Sequence, residues 1–251
     1  MFEADKAPQL GPGERLDRFI REDLVIIQSQ DYFNFSLDAV LLAHFTQIPR
    51  RNKLKIVDFC SGNGVIPLLL SAKTEVAIDA IELQPGLVEM AQRSAQLNGL
   101  QDRLHFQCMN LNDFMYQGSQ YDIVTCNPPY FLVDNSKEVH HLTSLALARH
   151  ELKLTLDQWV KKASQILKDK GRLFFVHRPD RLDDLMACLE KHHFAVYRMQ
   201  FVHPKAGARA NVLLVEAIYR GGRNGVRVEP PLVVYQDDNT YTPELQAIYY
   251  G

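Results

Sequence analysis

Cysteine is scarce in this chain and unpaired in pattern. Cys60, Cys108, Cys126 and Cys188 lie far apart with no Cys-x-x-Cys spacing, which excludes a disulfide scaffold and a zinc-ribbon motif. Three of them fall inside or at the ends of expected strands, as small core residues in a reducing, cytoplasmic setting do. No apolar stretch reaches the roughly 18–20 residues that span a bilayer, so no membrane association is expected. The start does not read as a leader, because Asp5, Glu14 and Asp17 precede any apolar segment. Positive charge is not in excess: the net charge of −2 gives no global announcement of nucleic acid. Neither histidine doublet, His140-His141 nor His192-His193, has the i, i+4 spacing of a helical ligand pair, and no metal is expected. Repeats and low-complexity tracts are absent, and no obligate protein partner is evident.

What is present is an ordinary globular composition, 46% hydrophobic and 23% charged, enough for one large core. Charge is unevenly placed. Between Tyr197 and Pro230 six basic residues (Arg198, Lys205, Arg209, Arg220, Arg223, Arg227) face two acids (Glu216, Glu229), and Arg50, Arg51, Lys53 and Lys55 form a second cluster. Each cluster is either a solvated surface or a face for phosphates.

From residue 55 strands and helices alternate. Strands are expected at Lys55–Phe59, Glu75–Ile81, Leu104–Cys108, Tyr121–Cys126, Arg172–His177, Phe194–His203 and Asn211–Tyr219. Helices are expected from Val65 to Ala72, from Pro85 to a stop at Gly99, from Leu154 to Lys168 ending at Gly171, and from about Arg181 to Lys191. This rhythm argues an α/β fold: a mostly parallel sheet with a C-terminal antiparallel hairpin and helices on both faces. Residues 1–52 read as an N-terminal extension, with a strand-like Leu24–Gln28 and a helix near Leu37–Phe45 capped by Ser36. Residues 53–251 read as the main domain, ending in a short helix over Thr242–Tyr250.

Two constellations carry chemistry. In Asp58-Phe59-Cys60-Ser61-Gly62-Asn63-Gly64 a strand runs into a glycine turn, and Glu82 ends the next strand 20 residues after Gly62. Such a carboxylate can accept both hydroxyls of a ribose. A dinucleotide fingerprint needs a third glycine where this chain has Pro67, so a ribose cofactor without phosphates fits better than a pyrophosphate. Asp58 is placed for a ligand cation such as an α-ammonium. Asn110, with Asp113 as the alternative, is placed either to read an adenine amino group or simply to cap a helix. The second constellation is Asn127-Pro128-Pro129-Tyr130. Two prolines stiffen the chain where a buried strand ends, presenting an amide, a carbonyl and an aromatic face to a planar group bearing NH₂. A Pro-Pro turn that merely stops the strand is the alternative.

Asp58-x-x-x-Gly62-x-Gly64, Glu82 and Asn127-Pro128-Pro129-Tyr130, in this order, resemble the class I S-adenosylmethionine-dependent methyltransferases of amino nitrogens. More narrowly the chain resembles the bacterial tRNA(Val) adenine-N6 methyltransferases, which modify the adenine 3′ of the anticodon. The residues that carry this are Phe33-Asn34-Phe35-Ser36 through Phe45, Asn127 to Phe131, Ala148-Arg149-His150, Arg209 to Leu214 and Tyr241 to Leu245. The resemblance implies a Rossmann-like class I methyltransferase domain and S-adenosylmethionine held by Asp38, Asp58, Cys60, Gly62, Gly64, Glu82, Leu83, Asn110, Leu111 and Asn127. It implies that the N-terminal segment with Asp38 closes over the cofactor. Where relatives commonly carry Asp after the third strand this chain has Asn110.

The expected reaction is methylation of an adenine N6 in tRNA, with Asn127, Pro128, Pro129 and Tyr130 as the catalytic corner. Tyr130 and Phe131 would stack on the base, and Arg149, Lys205 and Arg209 would meet phosphates. The alternatives are methylation of a protein glutamine amide by the same corner, as in release-factor methyltransferases, DNA adenine methylation, and a non-catalytic RNA- or adenosyl-binding module.

Overall fold

The computed structural model of the chain describes residues 10–32, 37–51, 53–115, 120–129, 154–223 and 225–251. An antiparallel hairpin, β1 (Glu14–Phe19) and β2 (Leu24–Ser29), comes first, then helix α1 (Leu37–Phe45). Strand β3 (Ile56–Phe59) leads to α2 (Val65–Ser71), β4 (Ile78–Glu82), α3 (Pro85–Leu97), β5 (Leu104–Cys108) and β6 (Tyr121–Cys126). After the undescribed stretch come α4 (Leu156–Ile166), β7 (Leu167–His177), α5 (Leu182–Lys191), β8 (Phe194–Lys205), β9 (Val212–Tyr219), β10 (Arg227–Val228), β11 (Leu232–Tyr235) and α6 (Pro243–Tyr250).

Strands β5, β4, β3, β6 and β7 lie side by side and parallel, and β9 inserts antiparallel between β7 and β8. The edge strand β8 is covered by two short parallel partners, β10 and β11. The mostly parallel sheet with its antiparallel hairpin is the architecture read from the sequence. β1, β10 and β11 are not: β1 is largely polar and half-exposed, β10 is exposed and only 2 residues long, and β11 is only 4 residues long.

Both faces of the sheet are covered, which is why β3, β6 and the centre of β7 are mostly apolar on both sides, without a polar outer face. On one face Ile56, Ile78, Ile123, Phe174 and Val176 pack with the apolar residues of α1, α2 and α3. On the other, Val57, Phe59, Val124, Leu173 and Phe175 pack with Trp159, Val160 and Ala163 of α4 and Leu185 and Leu189 of α5. Trp159 is fully buried with its ring 5.2 Å from that of Phe175.

Two sequence boundaries move. The strand expected from Glu75 begins at Ile78; the Glu75 carboxylate is solvent-exposed beside Arg103. The helix expected to reach Lys168 ends at Ile166, because Leu167 turns extended to pair with Tyr121 of β6. Gly171 therefore lies inside β7, in a bulge whose neighbour Lys170 has φ +62°. The cap expected from Ser36 lies outside the described residues.

Helix α1 belongs to the core. Its Ala39, Val40, Leu41, Leu42 and Phe45 are buried against the sheet. Its C-terminal carbonyls, those of Ala43, His44 and Thr46 just beyond it, accept the Lys73 ammonium at 2.6, 2.9 and 3.1 Å. Arg198 donates to the Phe45 carbonyl at 2.9 Å and lies over its ring, while pairing with the fully buried Glu216 that also takes Arg172. Glu216 thus ties β7, β8 and β9 to α1.

The N-terminal hairpin is docked by side chains. Asn98 accepts from the Val25 N–H at 2.9 Å and donates to its carbonyl at 2.7 Å, as a neighbouring strand would. Ser94 accepts from the Ile27 N–H at 2.9 Å, and Asn63 donates to the Ile27 carbonyl at 3.0 Å. Asn98→Ala leaves both polar groups of Val25 unpaired. We expect it to cost about 1–3 kcal/mol in chemical denaturation and to speed amide exchange in β2 more than in β3; equal exchange in both strands would contradict this docking.

Candidate active site

The register of β3 with β6 sets the site. Phe59 lies opposite Cys126 and Asp58 opposite Thr125, so the loop starting at Cys60 and the corner starting at Asn127 leave the sheet side by side at its carboxyl edge. That edge is where ligands bind in open α/β sheets. β4 runs on the other side of β3 with Ile81 opposite Phe59, bringing Glu82 alongside the same loop.

The loop needs its glycines. Gly64 has φ +87° and a Cβ there would sit 2.9 Å from the Phe106 ring, so both conformation and space demand glycine. Gly62 has φ +55° and Cys60, unusually for its type, φ +57°. Ser61 N–H donates to the Ile81 carbonyl at 3.1 Å and Gly64 N–H to the Ser61 carbonyl at 2.9 Å, closing the turn onto α2. Asn63, bonded to Ile27, ties the turn to the N-terminal hairpin.

Asp58 is completely buried. Its Oδ1 accepts the Thr125 hydroxyl at 2.5 Å, while Oδ2 has no partner among the described residues, nor has the buried Ser61 hydroxyl. Burial raises the Asp58 carboxyl well above the usual carboxylate range, against the Thr125 hydrogen bond, and the nearby Glu82 raises it further. An unpaired carboxylate oxygen in a dry pocket is costly unless a ligand donor meets it. Glu82 is also buried and raised by burial, opposed by three backbone donors. Its Oε2 accepts from Gly62 N–H at 2.9 Å, and Oε1 from Leu83 and Gln84 N–H at 2.9 and 3.0 Å. With about four acceptor sites on a carboxylate, Glu82 keeps room for one further donor; both ribose hydroxyls fit only if a backbone bond yields.

Met109 N–H donates to the Glu82 carbonyl at 2.9 Å, placing the segment after β5 next to this pocket. Asn110 caps the short 3-10 turn Leu111–Asp113 by accepting Asn112 N–H at 2.9 Å. The capping alternative is therefore realised; its NH₂ remains to meet a ligand acceptor. Leu111 is buried. Beneath this turn Lys162 of α4 donates to the Asn112 and Phe114 carbonyls at 2.8 and 3.0 Å.

Across the corner, Pro128 is buried and Asn127 and Pro129 half-buried. Asp38, at the first turn of α1, has its carboxyl raised by burial and lowered by the Arg178 charge. His177, at the end of β7, is pushed down to about 4 by burial, so it is neutral at physiological pH, and its Nδ1 accepts Arg178 N–H at 2.8 Å. Tyr130, Phe131 and Arg149 lie outside the described residues.

The basic clusters separate by edge. His177 pairs with Leu213 and Val202 with Val212, so the turn between β8 and β9, with Lys205 and exposed Arg209, projects at the carboxyl edge. Lys205 also donates to the Asp237 carbonyl at 3.2 Å. Arg50, Arg51, Lys53 and Lys55 precede β3 at the amino edge, Arg220 and Arg223 follow β9 there, and Arg198 is held by Glu216. Most of the basic run therefore faces away from the loop and the corner.

Sequence reading missed Thr125, Ser61, Asn63 and Lys162. Thr125 had one signal, a hydroxyl inside an otherwise apolar strand next to a buried acid.

The donor set suits a cationic ribose ligand: a free buried carboxylate oxygen, a glycine turn open to the sheet edge, and a second carboxylate oriented by backbone N–H groups. Asp58→Asn tests the first of these. Folding raises the proton affinity of Asp58, so its stabilisation is present at low pH and is lost as pH rises through the folded value. Removing the charge should raise the thermal midpoint at neutral pH, by about 2–4 °C for each kcal/mol recovered. The same change should weaken calorimetric binding of S-adenosylhomocysteine by about 2 kcal/mol or more. A lower midpoint with unchanged affinity would refute this role.

The methyltransferase small domain family model matches residues 36–197. The tRNA1(Val) (adenine(37)-N6)-methyltransferase of Tolumonas auensis is 27% identical over 217 residues, covering 84% of this chain and 86% of the relative. The enzyme of the same name from Photorhabdus laumondii is 28% identical over 241 residues, 93% of this chain and 94% of the relative. Among solved structures, an Agrobacterium tumefaciens protein described as a predicted O-methyltransferase superposes with a TM-score of 0.65 at 21% identity, covering 85% of this chain and 95% of that one. TrmN from Thermus thermophilus superposes with a TM-score of 0.52 at 16% identity, covering 72% of this chain and 48% of that one. These structural likenesses concern the fold, which is the class I methyltransferase sheet.

Proposed function

We propose that this chain, which belongs to the methyltransferase small domain family, methylates the exocyclic N6 of an adenine in tRNA with S-adenosylmethionine as methyl donor. The observation that carries the reading is the β3–β6 register, which puts the Asn127 corner beside the loop of Asp58, Gly62 and Gly64. Curated relatives over most of the chain bear the name tRNA1(Val) (adenine(37)-N6)-methyltransferase, which supports the adenine 3′ of the anticodon in tRNA(Val) as the finer target.

Bound S-adenosylmethionine supplies a sulfonium-borne methyl. Asp58 Oδ2 would meet its ammonium, Glu82 a ribose hydroxyl, and the backbone at Cys60, Gly62 and Gly64 would line its path. Leu83, Asn110 and Leu111 would border the adenine, and the N-terminal segment with Asp38 would close over the cofactor. An aromatic amine is a poor nucleophile because its lone pair is delocalised into the ring. The Asn127 amide oxygen and the Pro128 carbonyl accept the two amino protons, drawing the nitrogen toward tetrahedral geometry with its lone pair directed at the methyl. Each such bond, stronger as charge develops, contributes on the order of 2–4 kcal/mol. Alignment of the reacting atoms contributes more. Pro128 and Pro129 hold the acceptors still, and the methylated cation then gives its proton to solvent. Tyr130 and Phe131 clamp the extruded base at about 1–3 kcal/mol per stack. Arg149, Lys205 and Arg209 meet phosphates; Lys205 and Arg209 stand at the appropriate edge.

The test is labelled cofactor incubated separately with total tRNA, protein and DNA, followed by nucleoside and amino-acid analysis. Label in N6-methyladenosine from tRNA is expected, and label in a glutamine side chain would overturn the assignment. Asn127→Ala should lower turnover by about 100-fold or more while retaining S-adenosylhomocysteine binding; full turnover would remove the corner from the mechanism. Arg209→Ala should reduce the salt dependence of tRNA binding by roughly one counterion, checked by titration at several ionic strengths.

A further inference from the structure

On the sheet face away from α1, three potential ligands of different chemistry converge. Asp157 stands in the first turn of α4, Cys188 in the last turn of α5 and His192 just beyond it. One ligand atom from each lies within 4.8 Å of the other two. The His192 N–H donates to the Cys188 carbonyl at 3.2 Å, so the helical path continues through His192. The thiol and imidazole then share one face at i, i+4, the spacing by which a helix offers two ligands to one ion. His192 Nε2 lies 2.9 Å from Asp157 Oδ1. Helix α4 is fixed locally, since Thr155 and Gln158 form a reciprocal capping box around Asp157. Helix α5 is held by buried Leu185 and Leu189, so the two ligand-bearing ends are anchored before any ion arrives.

We propose that Asp157, Cys188 and His192 bind a divalent ion of the zinc class, which clamps the start of α4 to the end of α5. One sulfur, one imidazole nitrogen and one carboxylate oxygen form a mixed set suited to tetrahedral zinc, with water in the fourth position. Binding releases the thiol proton to solvent, giving a Cys188 thiolate on the ion, and moves the imidazole proton to Nδ1 so that the Nε2 lone pair faces the metal. The Lys191 ammonium, 2.6 Å from Asp157 Oδ1, occupies this position in competition with the ion, on a side chain 64% exposed and free to swing away. The site uses no residue of the glycine loop or the proline corner and is independent of the methyl-transfer reading. The sequence reading paired each histidine with its neighbour and overlooked Cys188-x-x-x-His192.

Cobalt(II) titration of the full chain tests this. One equivalent should give tetrahedral d–d bands with a thiolate-to-cobalt charge-transfer band, both abolished by stoichiometric zinc. Cys188→Ser should remove the charge-transfer band. Asp157→Asn and His192→Ala, at positions outside the apolar core, should each weaken zinc binding more than about 100-fold in competition with a chromophoric chelator. Lys191→Ala, by removing the competing cation, should tighten it. Absence of the charge-transfer band in the wild type, its persistence in Cys188→Ser, or unchanged affinity in both Asp157→Asn and His192→Ala would each overturn the site.

Discussion

The parallel pairing of β3 with β6 is the constraint on which the rest depends. Because Asp58 lies opposite Thr125 and Phe59 opposite Cys126, the two chain exits at the sheet edge are neighbours, and a ligand held by one is presented to the other. A slip of one residue would turn Asp58 to the opposite face, away from Thr125 and the loop. Such a slip is blocked from both sides, since the faces of β3 are buried in two different apolar clusters.

The site is costly within this frame. Two carboxylates, Asp58 and Glu82, are buried at the tips of adjacent strands; burial raises both, and Glu82 raises Asp58 further. Glu82 is compensated by three backbone N–H groups, but Asp58 by a single hydroxyl. That asymmetry separates the two: one carboxylate is a fixed part of the loop, and the other keeps an oxygen without a partner among the described residues. Under the proposed function Asp58 is retained against folding stability, as functional groups in buried sites commonly are.

Much of this was legible from residues alone. β5 and β6 have the bounds read from their apolar runs, α1 those read from its pattern, and α3 starts at Pro85 with Gly99 beyond its end. The glycine loop, the second-strand acid and the proline corner were readable because each relies on a residue type with few local alternatives. What escaped depends on tertiary pairing. Leu167 to Gly171 has helical character locally but is drawn into β7 by Tyr121. Asn63, Ser94 and Asn98 look like ordinary turn and helix residues until β2 lies across them. Asn110 illustrates a residue type with two uses, and the cap took one of them. The basic run at Tyr197–Pro230 divides for a related reason: an antiparallel strand sends its two ends to opposite edges, so charges close in sequence separate in space.

The side-chain docking of the first hairpin has a consequence for biosynthesis. Val25 is recognised by Asn98, 73 positions later in the chain. When β2 leaves the ribosome its partner has not been made, so the edge of β2 stays open until α3 has been translated and has packed. The Ile27–Asn63 bond then makes the glycine turn one of the contacts that end this waiting period. The docked form of β2 is thereby reached only after residue 98 has been made.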